Sequence, residues 1–368
     1  MGKGDNAVTP ECPATQPWAG VPVLVTGGTG RIGRHLVRTL IGAGAHVSVL
    51  TRDPGRAACL WPETNVRLLQ GDLCQPETLD RALQGMDGIF HLASPSVISG
   101  DRPSLTEHST THRDVTAEGT AQLLDAALHA SVKRLLFVSS VKAMGEMTDS
   151  RSGPVDETKC ATPMTEYGRA KRAAEQRLLA VNRDDLAVSI LRLPMVYGPG
   201  IDGNVARIVA AVVRRRFPPW PRRINHRSAI HVDDVVTAAL LAAEHPNAVG
   251  RVFLVTDGRA YSTRWIYEQT CSALGRPIPN WTVPLPVLQA AARLGAVIER
   301  GSGHPMPLTP ETLRKLTTDA WYDASAIGAN LGFSPRHQLG EEIRRLATTG
   351  HAYSKTIGIG HHDGPANF

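Results

Sequence analysis

The run Val23-Leu-Val-Thr-Gly-Gly-Thr-Gly-Arg-Ile-Gly33 constrains this chain more than any other stretch of it. Val21 to Val25 is a short apolar run that predicts a buried strand, and from Arg31 to about Ala43 the apolar residues recur with the helical period. Between them stand Gly27, Gly30 and Gly33. Glycine at these positions permits a tight turn, the approach of a pyrophosphate to the backbone, and close packing of helix on strand. Free N–H groups at the helix start would meet the phosphates. A glycine triplet alone is a weak signal; the strand before it and the helix after it make it a dinucleotide-binding turn.

The same alternation continues for about 170 residues. Strands are predicted at His46–Leu50, Val66–Leu69, Gly88–Leu92, Arg134–Ser139 and Ala187–Leu191, and helices at Glu77–Leu83, Ala117–Ala130 and Tyr167–Val181. Such a chain requires a mostly parallel sheet with helices on both faces. From Pro194 the pattern loosens into helices separated by proline-rich loops, and Val252–Val255 reads as one strand returning to the sheet. The expected division is a dinucleotide-binding domain over 19–193, with 228–258 returning to it, and a smaller substrate-binding region over 194–227 and 259–349. Residues 1–18 and 350–368 read as tails.

Composition narrows the class. The 368 residues are 42% hydrophobic, enough for a large core, and the net charge of +6 comes from many arginines and only seven lysines, with acids well mixed among them. No dense basic-aromatic repeat marks a nucleic-acid groove, so an anionic small molecule is the expected partner. Cys12, Cys59, Cys74, Cys160 and Cys271 form no Cys-x-x-Cys pair and are odd in number, which fits a reduced, cytoplasmic protein. The first residues are polar, so no leader is expected. No apolar run reaches the roughly 18 residues that span a bilayer, so no membrane is expected either. His108 and His112 lack a nearby third ligand and His361-His362 lies in a tail, so no metal is assigned.

Tyr167 and Lys171 stand four apart at the start of a helix, on one face. A phenol with a pKa near 10 is a poor base at neutral pH, and a neighbouring ammonium favours its ionised form. Phe137-Val-Ser-Ser140 ends a strand with two hydroxyls, at the edge where open α/β sheets place ligands. Ser140 lies 27 residues before Tyr167.

The Gly-x-x-Gly-x-x-Gly spacing behind Thr26, together with this serine, tyrosine and lysine, resembles the extended short-chain dehydrogenase/reductase superfamily, in its NAD-dependent epimerase/dehydratase (UDP-glucose 4-epimerase-like) branch. Gly71-Asp72-Leu73, His91-Leu-Ala-Ser94, Leu191-Arg-Leu-Pro-Met-Val-Tyr-Gly-Pro-Gly200 and Arg227-Ser-Ala-Ile-His-Val-Asp-Asp234 resemble further segments of that family, so the similarity runs from about Val21 to Thr348. The implied fold is a doubly wound, Rossmann-type α/β sheet. The implied cofactor is NAD(P)(H), facing Gly27, Gly30, Arg31, Ile32, Gly33, Arg52, Asp72, Leu73, Leu92, Ala93, Tyr167, Lys171 and Pro194. Thr51 stands where the family carries an acid and Arg52 follows it, which favours NADP(H), although Asp53 is an acid able to reach the ribose.

Ser140, Tyr167 and Lys171 are the implied catalytic residues; Ser94, Lys142, Asn204 and Arg227 are implied to face substrate, and a homodimer is implied as well. Ser139 reads as a strand-end cap. Asp114 replaces the family's asparagine, which should alter its structural hydrogen bonds. The basic loop Arg214–Arg223 is either a solvated loop or an anion clamp.

The activity so implied is oxidation, reduction or epimerisation at C4 of a nucleotide-linked sugar through a 4-keto intermediate. Tyr167 would exchange the proton, Ser140 would hold the oxyanion, and Lys171 would bind the nicotinamide ribose and lower the phenol pKa. Val141 and Lys142 follow Ser140 where a dehydratase would carry an acidic pair, so dehydration is disfavoured. The alternatives are an NADPH-dependent reductase of a 4-keto sugar or of a steroid- or polyketide-like ketone, and a non-catalytic NADP sensor.

Overall fold

The computed structural model of the chain describes residues 17–62, 65–95, 112–181, 184–222, 225–304 and 306–356. Its main sheet has seven parallel strands: β1 (Pro22–Thr26), β2 (His46–Thr51), β3 (Arg67–Gln70), β4 (Gly88–His91), β5 (Arg134–Ser140), β6 (Ala187–Leu193) and β9 (Arg251–Leu254), in the order β3-β2-β1-β4-β5-β6-β9. The order reverses between β1 and β4, and a crevice opens beyond the carboxyl ends of the strands at such a reversal. A second, three-stranded sheet joins β7 (Met195–Tyr197), β8 (Arg227–His231) and β10 (Ala260–Tyr261) in the order β10-β8-β7.

The apolar runs form strands because both faces of a parallel sheet are covered. Successive residues of β1 show it. Val23 and Val25 pack with Leu36, Val37 and Leu40 of α1 (Arg31–Gly42), while Leu24 packs on the opposite face with Leu79 and Leu83 of α3 (Pro76–Leu83). Between these helices in sequence lies the short α2 (Pro54–Ala58). On the α3 side sit α4 (Gly119–His129), entered through a turn of π-helix over Arg113–Glu118, and α5 (Glu166–Leu179). Each fully buried Leu or Val contributes about 1.5–3 kcal/mol, so this two-faced core dominates stability.

The smaller core is built from α6 (Asn204–Val213), α8 (Thr263–Ala273) and α12 (Leu339–Thr356), through Val205, Ile208, Val209, Val212, Ile266 and Ile343. α7 (Val232–Glu244) instead joins the main core beside α1, as does α11 (Ser325–Leu331). α9 (Leu285–Ser302) and α10 (Pro310–Thr317) pack around Trp220.

Two tail boundaries move. Trp18 is buried in the main core against Phe90 of the central strand β4, with ring centroids 5.2 Å apart. At the other end α12 continues helically to Thr356. Cys12, His108, His361 and His362 lie outside the described residues.

Candidate active site

A cleft of about 610 Å³ opens at the carboxyl ends of β1, β2 and β4. Its glycines are dictated by contact. Gly27 has φ +69°, and a Cβ there would sit 2.7 Å from the Ala93 nitrogen; a Cβ on Gly33 would sit 2.2 Å from the Gly27 carbonyl oxygen. Gly30 stands before α1 with no side-chain cap, leaving the first N–H groups of a 12-residue helix facing the cleft. Asp72, Leu73, Leu92, Ala93 and Ser94 line the same cleft, and the Ser94 Oγ is buried with no hydrogen-bond partner among the described residues. A close backbone cradle, an uncapped helix end and an orphaned hydroxyl fit a bound dinucleotide.

Three arginines, Arg34, Arg52 and Arg56, line the cleft at the end of β2. Asp53, the acid able to reach a ribose, lines the same cleft; one of its carboxylate oxygens accepts the Arg56 N–H at 2.9 Å and caps α2. Arg31, expected on the cofactor, reaches across to Asp202 in the loop before α6 and is not among the residues lining the cleft. Ile32 packs against the main core, and Pro194 turns the chain from β6 into β7.

A directional relay lies under the cleft. The Ala93 N–H reaches the Thr26 hydroxyl at 3.3 Å, and Thr26 Oγ1 lies 2.6 Å from His91 Nδ1. His91 Nε2 lies 2.9 Å from Thr120 Oγ1, whose hydroxyl donates to the Thr116 carbonyl. Since Thr120 donates onward it accepts from Nε2–H, so Nδ1 is the bare nitrogen that accepts from Thr26. Burial holds the His91 pKa down to about 3. Nearby, Asp114 opens the π-turn, its carbonyl accepting the Gly119 N–H.

The chemical groups meet where β5 ends. The Ser140 Oγ accepts the Lys142 N–H at 3.3 Å and lies near enough to the Tyr167 phenol to favour its ionised form. Burial raises the Tyr167 pKa, and the Ser140 hydroxyl offsets part of that rise. Lys171 does not act as expected on the phenol. Its Nζ donates to the Val138 carbonyl at 2.9 Å and lies 4.5 Å from the centre of the Phe137 ring. Burial lowers its pKa to about 8 despite the opposing charge of Glu175.

Ser139 is not a strand cap either. Its hydroxyl donates to Glu175 Oε1 at 2.6 Å, and the buried Glu175 also takes two hydrogen bonds from Arg192, at 2.9 and 2.6 Å.

Two positioning residues were not anticipated. Glu146 accepts from the N–H groups of Met164 and Thr165, both at 3.0 Å, and from the Thr165 hydroxyl at 2.6 Å, while Thr165 caps α5 through the Gly168 N–H. Burial pushes the Glu146 carboxyl up, but these hydrogen bonds outweigh it and leave its pKa below the ordinary value. Gly168 lets α5 approach, since a Cβ there would sit 2.5 Å from the Lys142 carbonyl oxygen. No sequence signal links Glu146 to a helix cap some 20 residues away.

On the substrate side, Arg227 donates to the carbonyls of Lys315 at 2.6 Å and Thr318 at 3.4 Å, capping the end of α10. Lys142 lies with its Nζ 5.5 Å from the centre of the Tyr167 ring. Desolvation, Lys315 and Arg227 lower its pKa. Asn204 stands exposed at the start of α6. His231, Asp233 and His337 bring ligand atoms within 4.8 Å of one another, a grouping the spacing did not reveal. His337 Nδ1 is engaged by Asp234 at 3.0 Å, and His231 Nδ1 by the Asp233 N–H at 3.2 Å, so the group latches β8 and α7 to the segment before α12.

A seven-stranded doubly wound sheet with a glycine cradle at its switch point and a Ser-Tyr-Lys group at the next strand end defines a nicotinamide-dinucleotide enzyme of the short-chain dehydrogenase/reductase superfamily. The chain belongs to the NAD dependent epimerase/dehydratase family, whose model matches residues 23–256. It is 29% identical over 327 residues to the UDP-glucose 4-epimerase of Vibrio cholerae, a match covering 88% of this chain and 94% of that one. It is 27% identical over 339 residues to the 2-alkyl-3-oxoalkanoate reductase of Stenotrophomonas maltophilia, covering 88% and 98%. MoeE5 in complex with UDP-glucose and NAD superposes with a TM-score of 0.67 at 26% identity, covering 91% of this chain and 99% of that one.

Proposed function

We propose that this protein is an NADP(H)-dependent reductase of a carbonyl compound, with the reacting oxygen seated between Ser140 and Tyr167. The observation that carries the reading is the trio of arginines in the cofactor cleft: Arg34, Arg52 and Arg56 all line it, as suits a ribose 2′-phosphate. At the end of β5 the Tyr167 phenol stands near the Ser140 hydroxyl, two groups that can serve a reacting oxygen.

A nicotinamide, when bound in the cleft, supplies the hydride. Gly27, Gly30 and the open end of α1 would hold its pyrophosphate, and Asp72, Leu73, Leu92, Ala93 and Ser94 would line the rest. Tyr167 passes its proton to the carbonyl oxygen as charge develops there, and Ser140 donates a hydrogen bond to the same atom. Lys171, mostly charged at pH 7 with a pKa of about 8, would orient the nicotinamide ribose from beneath. Arg52, with Arg34 and Arg56 lining the same cleft, would take a ribose 2′-phosphate.

A second reading is supported by the cations beside Tyr167. Lys142 senses Lys315 and Arg227, and such a group would suit the diphosphate of a nucleotide sugar oxidised at C4 to a 4-keto intermediate. Against it, Arg227 is already engaged by the end of α10.

Thermal melts separate the possibilities. NADP⁺ should raise the melting temperature at concentrations where NAD⁺ does little, and Arg52→Ala should remove that difference, weakening NADP⁺ by roughly 10–100-fold. Equal shifts from both dinucleotides refute the NADP(H) preference. A shift from millimolar UDP, abolished in Lys142→Ala, would move the substrate assignment to nucleotide sugars.

A further inference from the structure

Most of the large apolar side chains exposed on the described surface are gathered in one place. Trp281 is 63% exposed, and along α9 Val287, Leu294, Val297 and Ile298 are 54, 61, 62 and 42% exposed. At 100° per residue Val287, Leu294 and Ile298 fall within about 40° of one another, with Val297 about 60° further round, while the buried Leu288, Ala292 and Gly295 lie about 80–140° from Val287 on the other side. Ala290 and Ala291 fill the same outward face, and no charged residue interrupts it. A surface helix of a soluble domain ordinarily turns its polar side outward; this one is apolar on both sides.

Basic residues border one edge of the face. Arg293 and Arg300, both exposed, lie next to Val297 on that edge of α9. The segment leading into α9 is stitched to the basic loop: Arg222 donates to the Asn280 carbonyl at 3.4 Å, the Val283 N–H to Pro219 at 3.0 Å, and Arg276 to the carbonyls of Val212 and Val213. Arg214, Arg215 and Arg216 stand exposed at that junction. Arg215 has a φ of 57°, a backbone state that glycine occupies without strain. Between Gly258 and Ile298 the only acid is Glu268, which is paired with Arg264. An apolar helix face, an exposed tryptophan and a one-signed rim of arginines are complementary to one kind of surface, in which hydrocarbon lies behind anionic headgroups.

We propose that α9 and Trp281 seat this protein on an anionic lipid surface, with Arg214–Arg216, Arg222, Arg293 and Arg300 meeting the headgroups. The helix lies in the interface and does not cross it: among the described residues no helix is long and apolar enough to span a membrane. The basic loop is thereby a clamp for anions, those of lipid and not of substrate. The inference does not depend on the substrate assignment.

The test is co-sedimentation of the full chain with vesicles of phosphatidylglycerol and phosphatidylcholine, against phosphatidylcholine alone. The wild type should partition onto the anionic vesicles and be released by salt. Leu294→Asp/Val297→Asp, both on an exposed surface where folding is little affected, should lose at least about tenfold in partitioning. Arg214→Gln/Arg216→Gln/Arg222→Gln should lose about fivefold per arginine on anionic vesicles and little on neutral ones. Melting curves matching the wild type would show that both variants are folded. Failure of the wild type to bind anionic vesicles at low salt overturns the proposal. So does a wild-type dimer that Leu294→Asp/Val297→Asp converts to monomer without any vesicle binding, since the face then belongs to a second copy.

Discussion

Acidification should test the relay under the cofactor cleft more sharply than any truncation. His91 is fully buried, with both ring nitrogens engaged and its pKa held near 3. In the unfolded chain it would titrate near 6.5. The folded pKa is the lower of the two, so below pH 6.5 the unfolded state binds the extra proton and stability falls with pH. The contribution is fully present above 6.5 and is lost progressively down to about pH 3. Between pH 7.5 and 5 the loss is about 2 kcal/mol, and by pH 3 it is about 4 kcal/mol. Asp257 works in the opposite direction, because burial raises its carboxyl to about 6 and its protonation favours the folded state. The informative quantity is therefore the difference between the wild type and His91→Asn in urea denaturation at the two pH values. At pH 7.5 the variant should be less stable by about 1–3 kcal/mol, having lost one of two buried hydrogen bonds. At pH 5 the gap should narrow by about 2 kcal/mol. A gap constant to within about 0.5 kcal/mol over that interval would refute the assignment of a buried neutral imidazole.

Three further outcomes follow from the site. Tyr167→Phe should lower kcat by about 10²–10⁴-fold with dinucleotide affinity nearly unchanged, as measured by fluorescence titration; near-normal turnover would remove Tyr167 from the chemistry. Glu175→Gln leaves the buried Arg192 unpaired and should cost about 3–5 kcal/mol in urea denaturation, whereas Glu175→Leu/Arg192→Met should recover most of that loss. Gly33→Ala should weaken dinucleotide binding by more than about tenfold, because its Cβ meets the Gly27 carbonyl, while Gly42→Ala, with open space around it, should be neutral or stabilising by up to about 1 kcal/mol.

What the sequence made legible was local. The glycine loop, the apolar strands and the Tyr167–Lys171 spacing each lie within one element or one turn, where period and residue type determine the outcome. The second sheet was hidden because β7 and β10 are three and two residues long, too short for any period to register. The partners of the site residues were hidden for a different reason. Arg227 meets Lys315 across 88 positions, and Glu146 meets Thr165 across 19. Only the packed chain brings such pairs together, so an arginine implied by resemblance to face substrate is found donating to the carbonyls that end α10.

The two serines at the end of β5 show how the remaining ambiguity is resolved. Ser139 and Ser140 are chemically alike and adjacent, and a pleated strand turns them to opposite faces. Pairing with β6 sets Ser139 opposite Arg192 and Ser140 opposite Leu193. Ser139 and Arg192 thus converge on Glu175 of α5, on the face that this helix covers, while Ser140, the last residue of β5, stands near Tyr167 in the first turn of the same helix. A slip of one residue would turn Ser139 away from Glu175 and leave Glu175 and Arg192 mismatched in a buried site. Breaking a buried pair costs about 3–5 kcal/mol, a large share of the stability of an ordinary domain. The Glu175–Arg192 ion pair therefore pins the register of β5 against β6, and with it the places of both serines, although it touches neither the phenol nor the cleft.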